Sequence, residues 1–139
     1  MAQQATQHAA FTPASDSPVP DDLIGSNAAD LLARKYVLSA DQVILRGTLM
    51  GVVTASGEVI KSLSAAGDGS QTPFGIAAHD MDATIGPDSP PGDQEILVFV
   101  RGSFNENAVI YGTAHTKDTV REGLRDKGIY LETPVKRYP

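Results

Sequence analysis

The sequence predicts a mainly β fold of the α+β class: a small β-rich barrel-like or sandwich domain with one or two short helices and a disordered N-terminal arm. Three observations lead there. Short runs at residues 43–53, 74–79 and 95–101 either alternate in polarity or are apolar throughout, and dense Gly, Pro, Asp and Ser separate them. The clearest helical period, with start and stop signals of its own, is short and lies at residues 119–128. The first 22 residues hold only Phe11 and Val19 as large apolar side chains after Met1, too few to offset the entropy lost on ordering. The chain therefore divides into an arm at 1–22 and a single β-rich domain at 23–139.

From Leu23 the apolar density rises, and Ser26 or Asn27 is placed to cap a short helix running through residues 32–35. Residues 43–53 read as a strand with Leu45, Leu49 and Val53 on one face, interrupted there by Gly47 and Gly51. Two glycines on one face imply that backbone or another element approaches closely. Ala55, Ser56 and Gly57 turn the chain into a second strand at 58–61, a hairpin. The turn formers at 68–73 precede a strand at 74–79, and the Pro-rich stretch 86–93 is a loop. In residues 95–101, Ile96, Val98 and Val100 face one way and Leu97 and Phe99 the other, the mark of a central strand. Thr119 and Glu122 have capping-box spacing. Val120 and Leu124 share a helix face, while Asp118 with Arg121 and Glu122 with Arg125 fall three apart. Gly128 stops that helix, and residues 129–131 make a last strand.

Charge narrows the function. The 139 residues carry 17 acidic against 11 basic side chains, a net charge of −6 that falls as −3 over 1–22, −5 over 23–116 and +2 over 117–139. Such a balance is poor for neutralising a phosphate backbone, so nucleic acid is not an expected partner, and Lys136 and Arg137 read as solvated charge. There is no cysteine, which removes disulfides, thiolate metal sites and cysteine nucleophiles. No signal-like segment opens the chain, and the longest run of large apolar residues, 96–100, is too short to span a bilayer. A soluble protein with no membrane partner, folded in a cytoplasm, is the expectation.

The most site-like cluster is His79, Asp80 and Asp82, an imidazole and two carboxylates that together suit a divalent ion. A strand sends His79 and Asp80 to opposite faces, so a strand end whose aspartates bond local amides is the favoured reading, with no metal. Asp68, Gly69 and Ser70 have the residue types of a nucleophile or phosphate nest but lack a following helix, and read as a tight turn. His8 in the arm and His115 before the helix have no carboxylate partner in sight. No catalytic residue and no cofactor is expected.

Five blocks in order carry a resemblance: Arg46-Gly47-Thr48-Leu49-Met50-Gly51; Asp68-Gly69-Ser70-Gln71; Gly75-Ile76-Ala77-Ala78 with Asp80-Met81-Asp82-Ala83; Val100-Arg101-Gly102-Ser103-Phe104-Asn105-Glu106; and Arg121-Glu122-Gly123-Leu124-Arg125 with Gly128-Ile129. Over residues 43–131 the chain resembles the bacteriophage lambda-type head decoration proteins. The resemblance implies a structural virion protein that binds the outer surface of the expanded phage head as homotrimers and stabilises the capsid. It implies the major capsid protein as partner, with trimers formed either before or only on docking, and synthesis in the host cytoplasm. It implies no catalysis, metal or cofactor, and an arm that docks on the capsid, where Phe11, Thr12, Pro13 and Val19 are the candidate contacts. Residues 23–42 match no block, and the 86–93 loop and 133–139 tail are long for the family. The alternatives from other classes are a virion surface module binding host or carbohydrate, and a small trimeric hydrolase using His79, Asp80 and Asp82. The first wants clustered aromatics and the second a phosphate grip, and neither is visible.

Overall fold

A computed structural model describes residues 22–26, 28–88 and 94–133. Its strands are β1 (Leu32–Val37), β2 (Val43–Ile44), β3 (Leu49–Val52), β4 (Val59–Lys61), β5 (Pro73–Ala77), β6 (Met81–Asp82), β7 (Glu95–Asn105) and β8 (Ile129–Glu132). One α-helix, α1 (Lys117–Arg125), and a 3₁₀ turn at Ala28–Asp30 complete the regular structure of the described residues. None of it is a helix long and apolar enough to cross a membrane.

β7 organises the rest. The sheet order is β1-β7-β5-β3-β4, all antiparallel, with β8 added in parallel along the far end of β7 and β2-β6 forming a separate ribbon. Beyond β1, Leu38 bridges to Val59 and the Ser39 N–H donates to the Val59 carbonyl at 3.0 Å. The chain leaving the first strand thereby meets the last, so the sheet curls into the expected barrel-like form. Strand alternation then fills two cores. Leu49, Ile76 and Phe104 face the core that α1 covers with Val120 and Leu124, while Met50, Ala77, Ile96 and Val98 face a second core with Leu38 and Val59. β7 thus faces both cores, through Val98 and Phe99, but Leu97, expected on a buried face, is 43% exposed.

Four local expectations need correction. Residues 32–35 are not helical, because β1 pairs with β7 along 95–101, and Ser26 does not cap a helix: its N–H and hydroxyl both donate to Glu132, at 2.9 and 2.7 Å. Asn27 lies outside the described residues. The run 43–53 is two strands. At Gly47 (φ 94°) the chain turns, and Leu45 is left 55% exposed while Leu49 is fully buried. β7 continues past Arg101 to Asn105 because Gly102 (φ 142°) carries it through a shift of partner from β1 to residues 23–25 and β8.

α1 is the fourth correction, since it starts two residues early. Thr116 caps it, with the Thr119 N–H donating to the Thr116 hydroxyl (3.3 Å) and the Thr116 N–H to the Thr119 hydroxyl (2.9 Å), so a second threonine does the work expected of Glu122. Val120 and Leu124 are buried and Arg125 pairs with Glu122 at 3.0 Å, as their spacing indicated. Arg121 turns away from Asp118 to Glu106.

Candidate functional site

His79, Asp80, Asp82 and Asp68, singled out for chemistry, are each committed to backbone groups. β5 ends at Ala77, so His79 and Asp80 lie in a bend rather than on a strand. The Leu97 N–H donates to His79 Nε2 (3.1 Å), which puts the ring proton on Nδ1, where it bonds the Asp80 carbonyl (2.8 Å). The Asp80 carboxylate accepts from the Arg46 N–H (2.7 Å). Asp82 accepts from the Thr84 hydroxyl (2.5 Å) and N–H (2.9 Å), bonds that hold its carboxyl below the usual carboxylate range. Among the described residues no group of three His, Asp or Glu is placed to hold a metal ion.

Asp68 closes the tight turn onto the Ser70 hydroxyl (2.5 Å) and N–H (3.0 Å), and these lower its pKa in the same way. His115 has a partner the sequence did not reveal, Ser62, at 3.1 Å from Nε2. The buried Ser62 hydroxyl donates to the Ser70 carbonyl (2.6 Å), so its one proton is committed there and is not directed at the imidazole, as nucleophile activation requires. Burial pushes the His115 pKa below its ordinary value, against a raising bond to the Gln71 backbone.

The most connected charged group is Glu106, 4% exposed at the end of β7. Its carboxylate takes Arg121, Lys117 (3.4 Å) and the Thr133 hydroxyl (3.0 Å), while its backbone carbonyl accepts the Tyr111 phenol (2.7 Å). Burial alone raises its pKa, but the bonds from Thr133 and Lys117 and the charges of Lys117 and Arg121 outweigh that and bring it below its ordinary value. The Tyr111 phenol, pushed up to about 12 by burial and the Glu106 charge, stays protonated as a donor. Only tertiary contacts expose this role, since neither Thr133 nor Arg121 is near Glu106 in sequence.

Beside Glu106 the chain's first described residues are fastened. The Asn105 N–H donates to the Leu23 carbonyl and the Gly25 N–H to the Ser103 carbonyl, both at 2.8 Å, with Ile24 bridging to Phe104. Glu132, whose pKa the Ser26 bonds lower, anchors the same segment to β8. The described residues nearest the two termini, 23–25 and 132–133, therefore lie together at the end of β7, beside Asn105 and Glu106. The candidate contacts Phe11, Thr12, Pro13 and Val19, and the tail residues Lys136 and Arg137, lie outside the described residues. Elsewhere, the β2-β6 ribbon and its margin expose Val43 (62%), Leu45 (55%) and Ile85 (44%), apolar side chains left open among the described residues.

A family model described as bacteriophage lambda head decoration protein D matches residues 14–129 of the chain. The chain belongs to this family. The match takes in all five blocks and extends through residues 23–42, where the sequence by itself matched no block, to part of the arm. Among curated proteins, none matches. Membership of the lambda head decoration family makes the chain a capsid-decorating structural protein of a phage virion, with the phage capsid as its binding partner.

Proposed function

We propose that this chain binds the outer surface of the expanded phage head as homotrimers and cements the shell, with residues 1 to about 20 docking on the major capsid protein. The observation that carries the reading is the arm's root. A segment poor in apolar side chains cannot fold alone, yet it starts from residues 23–26, which are locked to β7 and, through Ser26, to Glu132, so it is presented from a rigid platform. Such a segment adds as an extended strand to an edge of the shell protein, and Pro13, Pro18 and Pro20 restrict the paired run to residues before Pro13, with Phe11 as anchor. One arm binds weakly because docking must order it. Three on one trimer reinforce one another at an effective concentration on the order of millimolar.

Cosedimentation with expanded, undecorated heads tests the arm. Deleting residues 2–20 is expected to leave folding and self-association intact while lowering occupancy by about a hundredfold, within the range that lost multivalency gives. Full occupancy by the truncated protein overturns the arm's role. Electron microscopy of the wild-type mixture should show density at three-fold positions of the shell.

The exposed Val43, Leu45 and Ile85 support self-association through the β2-β6 ribbon. Leu45→Asp is expected to shift sedimentation from trimer towards monomer at unchanged secondary structure. A trimer that persists assigns the contact to another face.

A further inference from the structure

The ladder between β5 and β7 sets Ile76 opposite Phe99 and Ala77 opposite Val98, and its next pair is only half made. The Ala78 N–H donates to the Leu97 carbonyl at 2.9 Å. In a complete antiparallel pair the Leu97 N–H would return the bond to the Ala78 carbonyl. Two side chains intervene instead. The Arg46 guanidinium donates to the Ala78 carbonyl, and His79 Nε2 accepts the Leu97 N–H at 3.1 Å. The imidazole thus stands where a strand carbonyl belongs, and the chain bends at residues 78–80.

That bend leads into the β2-β6 ribbon. His79 Nδ1 bonds the Asp80 carbonyl (2.8 Å), and the Asp80 carboxylate holds the Arg46 N–H (2.7 Å). Arg46 lies two residues past the end of β2, and Met81 opens β6 directly after Asp80. Main sheet and ribbon are therefore joined here through bonds whose first acceptor is a neutral imidazole.

An imidazolium carries a proton on both nitrogens and cannot accept, so protonation of Nε2 expels the Leu97 N–H. The register then offers Leu97 the Ala78 carbonyl, which extends β5 by one pair and displaces Arg46. Two arrangements of the same groups are available, and a proton selects between them. The charged groups on the surrounding elements are Asp80 on the bend, Arg46 after β2, Asp82 on β6, Glu95 on β7 and Lys35 on β1. Glu95 and Lys35 pair at 3.0 Å and Asp82 is turned to Thr84, while Asp80 favours an added positive charge and Arg46 opposes it. Among these residue types histidine is the one that changes charge between about pH 5 and 8.

We infer that His79 is a proton-operated latch. Neutral, it holds the bend and the ribbon's attachment at Asp80 and Arg46; protonated, it hands Leu97 to the Ala78 carbonyl and loosens that attachment. NMR of the full chain from about pH 8 to about pH 5 tests it, with ring and amide signals followed together in wild type, His79→Gln and His79→Ala. In wild type the Leu97 and Arg46 amide signals should shift with the midpoint of the His79 ring. The protection factor of the Arg46 amide should fall about tenfold across it, the worth of one ordinary hydrogen bond. Gln places an amide oxygen near the position of Nε2 and keeps it at every pH, so His79→Gln should hold the neutral pattern throughout. His79→Ala lacks the acceptor and should show the acid pattern from the start. His115, bonded to Ser62 and to the Gln71 backbone, is common to all three proteins and serves as the control.

Amides that stay still while the His79 ring titrates overturn the latch, as does a ring that stays neutral to the end of the titration. An acid shift that persists in His79→Gln belongs to another group and overturns it too. Wild type against His79→Gln decides the matter even where His79→Ala does not fold.

Discussion

Gly51→Val is expected to lower the free energy of unfolding by about 3 kcal/mol, the upper end of overpacking costs. A Cβ at Gly51 falls inside van der Waals contact of the Ser70 carbonyl oxygen and 2.7 Å from its carbonyl carbon. Ser70 cannot step back cheaply. Its carbonyl accepts the buried Ser62 hydroxyl (2.6 Å), and its own N–H and hydroxyl are tied to Asp68. Moving the turn would strand Ser62, and through it His115, without their bonds, adding the cost of unsatisfied buried polar groups. Urea unfolding of the variant measures this, and Gly51→Ala should give an intermediate loss. Unchanged stability and oligomeric state in Gly51→Val would show that the 68–72 turn yields. Gly123→Ala, inside α1 where an added Cβ meets nothing within 4 Å, is expected to raise stability instead, which makes the pair a direct test of close approach as the cause.

Glu106→Gln is expected to lower the melting temperature at neutral pH and to flatten its fall in acid. In the folded chain the Glu106 carboxyl titrates below its ordinary value of 4.5, so the unfolded chain takes up protons first as pH drops. The stability contributed by this group is fully present above about pH 4.5 and is lost as pH falls through the folded-state value. Asp68, Asp82 and Glu132 are shifted in the same direction and leave a residual acid dependence in the variant. His115 acts in a separate window: its folded pKa lies below 6.5, so its contribution declines as pH falls from there, and Glu106→Gln should not alter that portion.

Melting curves against pH for wild type and variant decide the point. An acid limb of identical slope in both would remove Glu106 from the account. Glu122→Gln serves as the control. Its pair with Arg125 is largely exposed, at 74% and 53%, and its loss should matter far less than that of Glu106.

How much of this was legible in the sequence depends on the range of the interaction involved. The central position of β7, the hairpin of β3 and β4, the buried Val120 and Leu124, and the tight turn at Asp68 all follow from side-chain period and turn chemistry over a few residues. The family was readable from five short blocks in order. Residues 32–35 were misread because their conformation is set by pairing with 97–101, more than sixty positions away, and that outweighs the capping preference of Ser26. Gly47 as a turn, Glu106 as the junction of β7, α1 and the chain after β8, and the meeting of residues 23–25 with residues 132–133 at the end of β7 were equally hidden. Each depends on partners brought together by the sheet, and a sequence carries local preference directly but long-range pairing only through the fold that satisfies it.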